Sequence, residues 1–437
     1  MMQKNPTFRG AEPTWANACV GNNGQPGYID YSLGFSKAAN ILIDQVLKDH
    51  SIHLSVDEFV YPVCFNMRHS VELRLKGAIE EVVEIAKIKN INLQFNASGS
   101  HDIYLIWNYF KVHSESIDER YKEINKKIEP IILDIAQIDP TGQTFRYPVS
   151  TTSQKHLTDV SLINFRILKL QFNELEKNLD DLHKLNNWLN IEYKQGTFTS
   201  KLNRSQIFKI AKQLPRMEKW REPEFTEIKR RLQLQYSLSG KDFSRVVDVI
   251  KCHYNLAPLV GDPLPIKGLN EAQLLNFIDE WISENPNVKK AYNYGDYAEI
   301  EVENSDLLAR ILTRREGRSR VWDVLIDDIS ASYVAGIESL FYFARDKEFV
   351  EYYNTIYEIH TREANIQIKR NADLKDELMH IFNKQNAADN ILMSLFALGH
   401  VKLAEAIIAK YDLEHSFRWL KDARSGRLFL YPDYAQY

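Results

Sequence analysis

The chain is poor in the residues that interrupt helices. Its 437 residues include 14 prolines and 17 glycines, few for this length, which disfavours a many-turned β architecture and favours long helices. Its three cysteines, Cys19, Cys64 and Cys252, are odd in number and far apart. They have neither metal-site nor redox spacing, so a disulfide scaffold is excluded and reduced cytoplasmic thiols are expected. No apolar run reaches the ~18 residues of a membrane span, and the N-terminal stretch has no apolar signal core. A cytoplasmic protein with no membrane partner is therefore expected. Neither sign of charge dominates: 55 Lys and Arg against 59 Asp and Glu leave a net −4, so no global field draws the chain to nucleic acid or lipid. The chain also lacks GxxxxGK[ST], HExxH, GxSxG and paired CxxC, which disfavours NTPase, zinc-hydrolase and α/β-hydrolase chemistry. Neither a metal nor a cofactor is expected.

What is present is helical periodicity over most of the length. It implies an all-α protein of two or three domains. Residues 1–30 form an irregular Gly/Asn/Pro-rich arm, and 31–190 a bundle of about five helices. Residues 191–261 form a small basic helical module. Residues 262–305 are a linker and a short mixed segment, in which AYNYGDYAEIEV (291–302) suggests a hairpin. Residues 306–437 form a C-terminal helical domain that closes on an αα-hairpin at Gly399. Within the bundle the spacing predicts helices over 31–48, 56–88, 117–138 and 157–189. Another begins at His101 with Ser100 as its cap. In the C-terminal domain one long helical region is expected over 326–359.

The helix over 56–88 carries charge on its apolar side. Advancing about 100° per residue, Arg68 and Glu72 fall among Met67, Val71, Leu75, Ala78, Ile79 and Val82. Lys76 lies on the edge of that arc and His69 just outside it, while Arg74, Glu80, Glu81 and Glu84 lie opposite. A core-facing charge needs a partner, because leaving it unpaired costs several kcal/mol, roughly. His101, Asp102 and Trp107 follow after a loop. Two readings fit these residues. In one, they line a polar pocket where Arg68 grips an anion bidentately and His69 or His101 carries a proton. In the other, Glu72 pairs with Arg68 and Lys76 in a buried structural network and Asp102 caps a helix. FRYP (145–148) either presents Arg146 beside that pocket, with Pro148 holding Tyr147 extended, or is a structural turn.

The E-x-x-x-K pattern at Glu72 and Lys76, followed by His101-Asp102-Ile103 and Ile106, resembles the HEPN-type helical domains of prokaryotic toxins and defence proteins. The resemblance spans residues 31–190. It implies RNA- or nucleotide-directed activity, in many members a metal-independent ribonuclease, in a bacterial defence or toxin setting, and a homo-oligomer. The family's R-x(4–6)-H motif is absent: no histidine has an arginine five to seven residues before it. The catalytic candidates are therefore Arg68, His69 and His101, with Arg146 beside them. The competing class is a non-enzymatic scaffold that recruits a partner protein or nucleic acid.

Three further groups stand out. Between Lys194 and Arg231 eleven Lys/Arg face four Asp/Glu. Lys201, Arg204, Lys209, Lys212, Arg216, Lys229, Arg230 and Arg231 could contact RNA or DNA phosphates there, or form a solvated face or a surface for an acidic partner. Arg314, Arg315, Arg318 and Arg320 form a basic loop, as a phosphate clamp or an exposed linker. Glu338 and Arg345 fall near a second apolar arc and suggest another buried polar contact.

Overall fold

The computed structural model describes residues 5–48, 54–150, 152–285, 288, 319–345, 349–370, 373–429 and 431–435. Among them the protein is all-α, and the one β-type pairing is an isolated bridge between Val149 and Lys155. The expected hairpin at 291–302 and Arg314, Arg315 and Arg318 lie outside the described residues. No helix among the described residues is long and apolar enough to cross a membrane. The chain divides into two compact units, 1–194 and 195–437.

Among its described residues the first unit has five α-helices: α1 (Tyr28–Lys48), α2 (Val56–Ile88), α3 (Ile103–Ile117), α4 (Tyr121–Ile138) and α5 (Phe165–Lys194). Helix α2 is the hub. It packs against α1, α3 and α5, while α4 packs on α3 and α5. Ser55 starts α2 by accepting the Asp57 amide at 3.2 Å. Gly77 lets α1 come close, since a Cβ there would lie 2.8 Å from Ile29 Cδ1. Val71, Leu75, Ile106, Ile128 and Leu175 are fully buried around the hub.

Three boundaries differ from those expected, each for a local polar reason. Helix α3 is capped by Asp102 rather than Ser100: its Oδ1 accepts the Leu105 amide at 3.0 Å. The stretch 117–138 is split, because the Asp118 carboxylate turns back to accept both the backbone and the side-chain N–H of Arg120. Helix α5 begins only at Phe165. Leu157 has φ +57°, and Asn164 Oδ1 accepts the amides of Arg166 and Ile167. Residues 157–164 are thus irregular, and Leu162 stays 90% exposed. Arg74 is a further correction. It is buried and donates to Asp180 of α5 at 2.5 Å, because the hub helix is covered on its back as well as its front.

Among its described residues the second unit holds two apolar cores. The smaller is built by α6 (Arg204–Ala211), α7 (Pro223–Gln235), α8 (Gly240–Lys251) and α9 (Ala257–Val260), around Ile207, Leu232, Val246 and Ile250. The larger involves α10 (Glu271–Glu284), α11 (Ala331–Phe343), α12 (Tyr352–Lys369), α13 (Lys375–Phe382), α14 (Ala387–Ala397), α15 (Val401–Tyr411) and α16 (Leu420–Arg424). The long helix expected over 326–359 is broken: a 3-10 turn at Ile326–Asp328, then Ser330 capping α11, then α12 from Tyr352. Glu338 lies 3.2 Å from His360, and Arg345 stacks over Phe341 and Tyr342. Gly399, at φ +83°, turns α14 into α15 as an αα-hairpin.

Candidate functional site

The buried charges of α2 meet the ends of two other helices. Arg68, Glu72 and Lys76 share one stripe of α2 and are each 3% exposed. Glu72 lies between the two cations: Arg68 Nη1 donates to its Oε2, and Lys76 Nζ donates to its Oε1 at 2.7 Å. Arg68 also reaches past α2. Its Nε donates to the Asp139 carbonyl at 3.2 Å, and its Nη2 to the carbonyls of Pro140, at 2.8 Å, and His101. One guanidinium thereby binds the approach to α3 and the exit from α4 onto α2. Burial by itself would raise the Glu72 pKa, but the hydrogen bond from Lys76, the Arg68 charge and the contact with His101 hold it below the usual carboxylate value.

A cavity of about 350 Å³ opens beside this network. Arg68, His69, Glu72 and His101 form one side, and the loop at Thr141, Gly142 and Gln143, with Arg146, forms the other. His101 is 61% exposed at its side chain, and its Nδ1 lies 3.1 Å from Glu72 Oε1. That contact orients the ring and leaves Nε2 for a ligand. His69 is half-buried, stacked on Phe65 and edge-on to Phe35. Burial lowers its pKa, and Arg68, Lys76 and Arg146 lower it further against the opposing pull of Glu72, so the ring is neutral at neutral pH. Arg146 is exposed, stacks over Phe65 and Tyr147, and donates to the Tyr147 hydroxyl at 3.3 Å.

The geometry sorts the residues nominated from sequence. His69, His101 and Arg146 reach the cavity with side chains that can act on a ligand. Arg68 lines it too, but four of its five N–H donors are committed to Glu72 and three carbonyls, so it is not the free bidentate anion grip the sequence suggested. Lys76 is likewise committed to Glu72. Asp102 is a helix cap, and Trp107 is buried with its indole N–H 3.5 Å from Glu129. FRYP forms a turn, the amides of Arg146 and Tyr147 both donating to the Gln143 carbonyl, rather than an extended segment. Sequence reasoning missed Phe65 and the Thr141–Gln143 loop. The signal was the DPTGQT turn: Gly142 has φ +77°, and a Cβ there would lie 3.1 Å from Arg68 Nη1.

In the second unit Arg204 leaves the basic set. It is 1% exposed and pairs with Glu351, which also accepts from Thr197 and lies 3.0 Å from His253. The reason is its place in the first turn of α6, facing the apolar rings of Phe208 and Phe349. Lys201 is tied to Asp242 and the Ser237 carbonyl, Arg216 faces Asp262 and Glu218, Arg231 donates to Gln213, and Lys229 lies over Phe243. Lys209, Lys212 and Arg230 are exposed. Arg320 pairs with Glu280 and Glu284. Among the described residues no group of three or more His, Cys, Asp or Glu is arranged to hold a metal.

Comparison of the chain with protein-family models, with curated proteins and with solved structures gives no match.

Proposed function

We propose that the cavity on α2 binds an RNA or nucleotide phosphodiester and cleaves it without a metal ion. The observation that carries this reading is that His69, His101 and Arg146 converge on one cavity. His69, kept neutral, takes the proton of the 2′-hydroxyl, whose oxygen then attacks phosphorus. His101, oriented by Glu72, returns a proton to the departing 5′ oxygen, and Arg146 faces the charge that builds on the phosphoryl oxygens. The resemblance to HEPN domains is what suggests RNA as the phosphodiester, self-association, and a defence or toxin setting. The exposed cations Lys209 and Arg230 offer further phosphate contacts.

The test is labelled tRNA and total RNA incubated with the protein in EDTA, beside His69→Ala, His101→Ala and Arg146→Ala. Cleavage by the wild type that disappears in all three folded variants supports the reading. Cleavage that survives in all three refutes it. A second reading is a non-enzymatic scaffold, favoured by the commitment of Arg68 to protein acceptors. It predicts no cleavage, and RNA or protein binding indifferent to His69 and His101.

A further inference from the structure

A second cavity in the first unit, of about 440 Å³, also has Arg68 in its lining. Its size is that of a small-molecule site. Its walls come from α2, α4, α5 and the segment before α5 and are mostly apolar, with Met67, Ile135, Ile138, Leu168, Phe172 and Leu175 among them, while Arg68, Asn164 and Gln171 add polar groups. Leu162 and Ile167, exposed by 90% and 62%, stand at its opening. Two carboxylates line the cavity: Asp134, which is exposed, and Asp139, which is buried. Asp139 is 1% exposed and ends α4. Its Oδ1 accepts the Thr144 amide at 3.0 Å, but Oδ2, equally buried, has no hydrogen-bond partner among the described residues. The thiol of Cys64 lines the same cavity and does not meet this need. Burial, with the charge of Asp139 beside it, pushes that thiol up to about 12, so it stays neutral and inert.

We propose that this cavity is a binding site for an amphipathic primary amine, its hydrocarbon body on the apolar walls and its ammonium group on Asp139 Oδ2. A buried carboxylate oxygen with no donor is costly, and a charged N–H donor is its strongest remedy. The mostly apolar walls disfavour a polar body, and an anionic head would face Asp134 and Asp139 with a like charge, while the Arg68 charge in the same lining is already paired with Glu72. The site takes one end of its ligand by burial and the other by a single directed contact, which is how small-molecule pockets gain orientation. The proposal does not rest on the RNA reading, since the imidazoles and Arg146 lie in the other cavity.

The experiment uses the full chain and n-octylamine, with octanoate and 1-octanol of equal length as controls, read by calorimetric titration and thermal shift below micellar concentrations. Octylamine is expected to bind one to one and raise the melting temperature, with octanol weaker and octanoate silent. Asp139→Asn retains an oxygen for the Thr144 amide, and it should weaken octylamine by about tenfold or more, the loss of a hydrogen bond between charged groups. Leu168→Trp fills the cavity from its wall and should abolish uptake while leaving Asp139 intact. Equal binding of octylamine and octanoate, or full affinity in a folded Asp139→Asn, overturns the proposal. So does an opening covered by a second copy of the chain, seen as a dimer that Leu162→Asp dissociates and that takes up no octylamine.

Discussion

Four hydrogen bonds leave Arg68, one to Glu72 and three to the backbone carbonyls of His101, Asp139 and Pro140. Glu72→Gln keeps the shape of that site but removes the charge that balances both Arg68 and Lys76. Urea unfolding should show a loss of about 3–5 kcal/mol, the cost of leaving a buried charge unpaired. Arg146→Ala removes an exposed side chain and should change stability by only about 0.5 kcal/mol, while RNA cleavage falls. Both substitutions silence a nuclease, so the pair separates support from chemistry. His69 adds a pH signature. Its pKa is lowered below 6.5, so a base at this position is lost only as pH falls through that lowered value. The acid limb of the cleavage profile should therefore lie below pH 6.5, and His69→Ala should leave no such limb to measure.

At the scale of elements, helix ends decide where side chains arrive. Asp102 caps α3 and sets the chain direction that brings the His101 carbonyl onto Arg68. Asp102→Ala should cost about 1 kcal/mol in thermal or urea melts, as cap losses do. This level also separates what the sequence made legible from what it did not. The apolar arc of α2 is readable from a 3.6-residue period, which places Arg68 and Glu72 inside it and Lys76 on its edge, whereas the structure buries Lys76 as fully as the other two. The same wheel put Arg74 in solvent, because periodicity shows one apolar face and cannot show that a hub helix is covered behind. That covering depends on Asp180, more than a hundred residues away. The late start of α5 was hidden by Leu157 and Leu162, whose apolar side chains fit the helical period although Leu157 takes a positive φ and Leu162 stays in water. His69, His101 and Arg146 were nominated by chemistry alone. Their meeting at one cavity depends on the turn around Gly142, which a periodicity reading does not supply.

At the scale of the whole molecule, each compact unit contains a buried ionic knot, and the two knots respond to acid in different windows. In the first unit Glu72 has its pKa held below the ordinary 4.5. Its stabilisation is present above pH 4.5 and is lost as pH falls through the lowered folded value. In the second unit His253 is buried beside Arg204 and Glu351. Burial, and then the Arg204 charge, push its pKa well below 6.5. The unfolded chain takes a proton on that histidine near pH 6.5 while the folded chain refuses it, so stability falls as pH drops below 6.5. The limiting slope is about 1.4 kcal/mol per pH unit for one proton. His400, also lowered by burial, adds to the same slope. His360 is raised by Glu338 and Glu363 against its burial, so its stabilisation is already complete below pH 6.5 and adds no slope there. His69 of the first unit is lowered in the same direction, so calorimetric melts between pH 6.5 and 5 should lose stability in both units before Glu72 begins to respond. His253→Gln removes the titrating ring, and its melts should decline less over that window than those of the wild type. An unchanged decline in the variant would mean that His253 is not the group that couples this unit to pH.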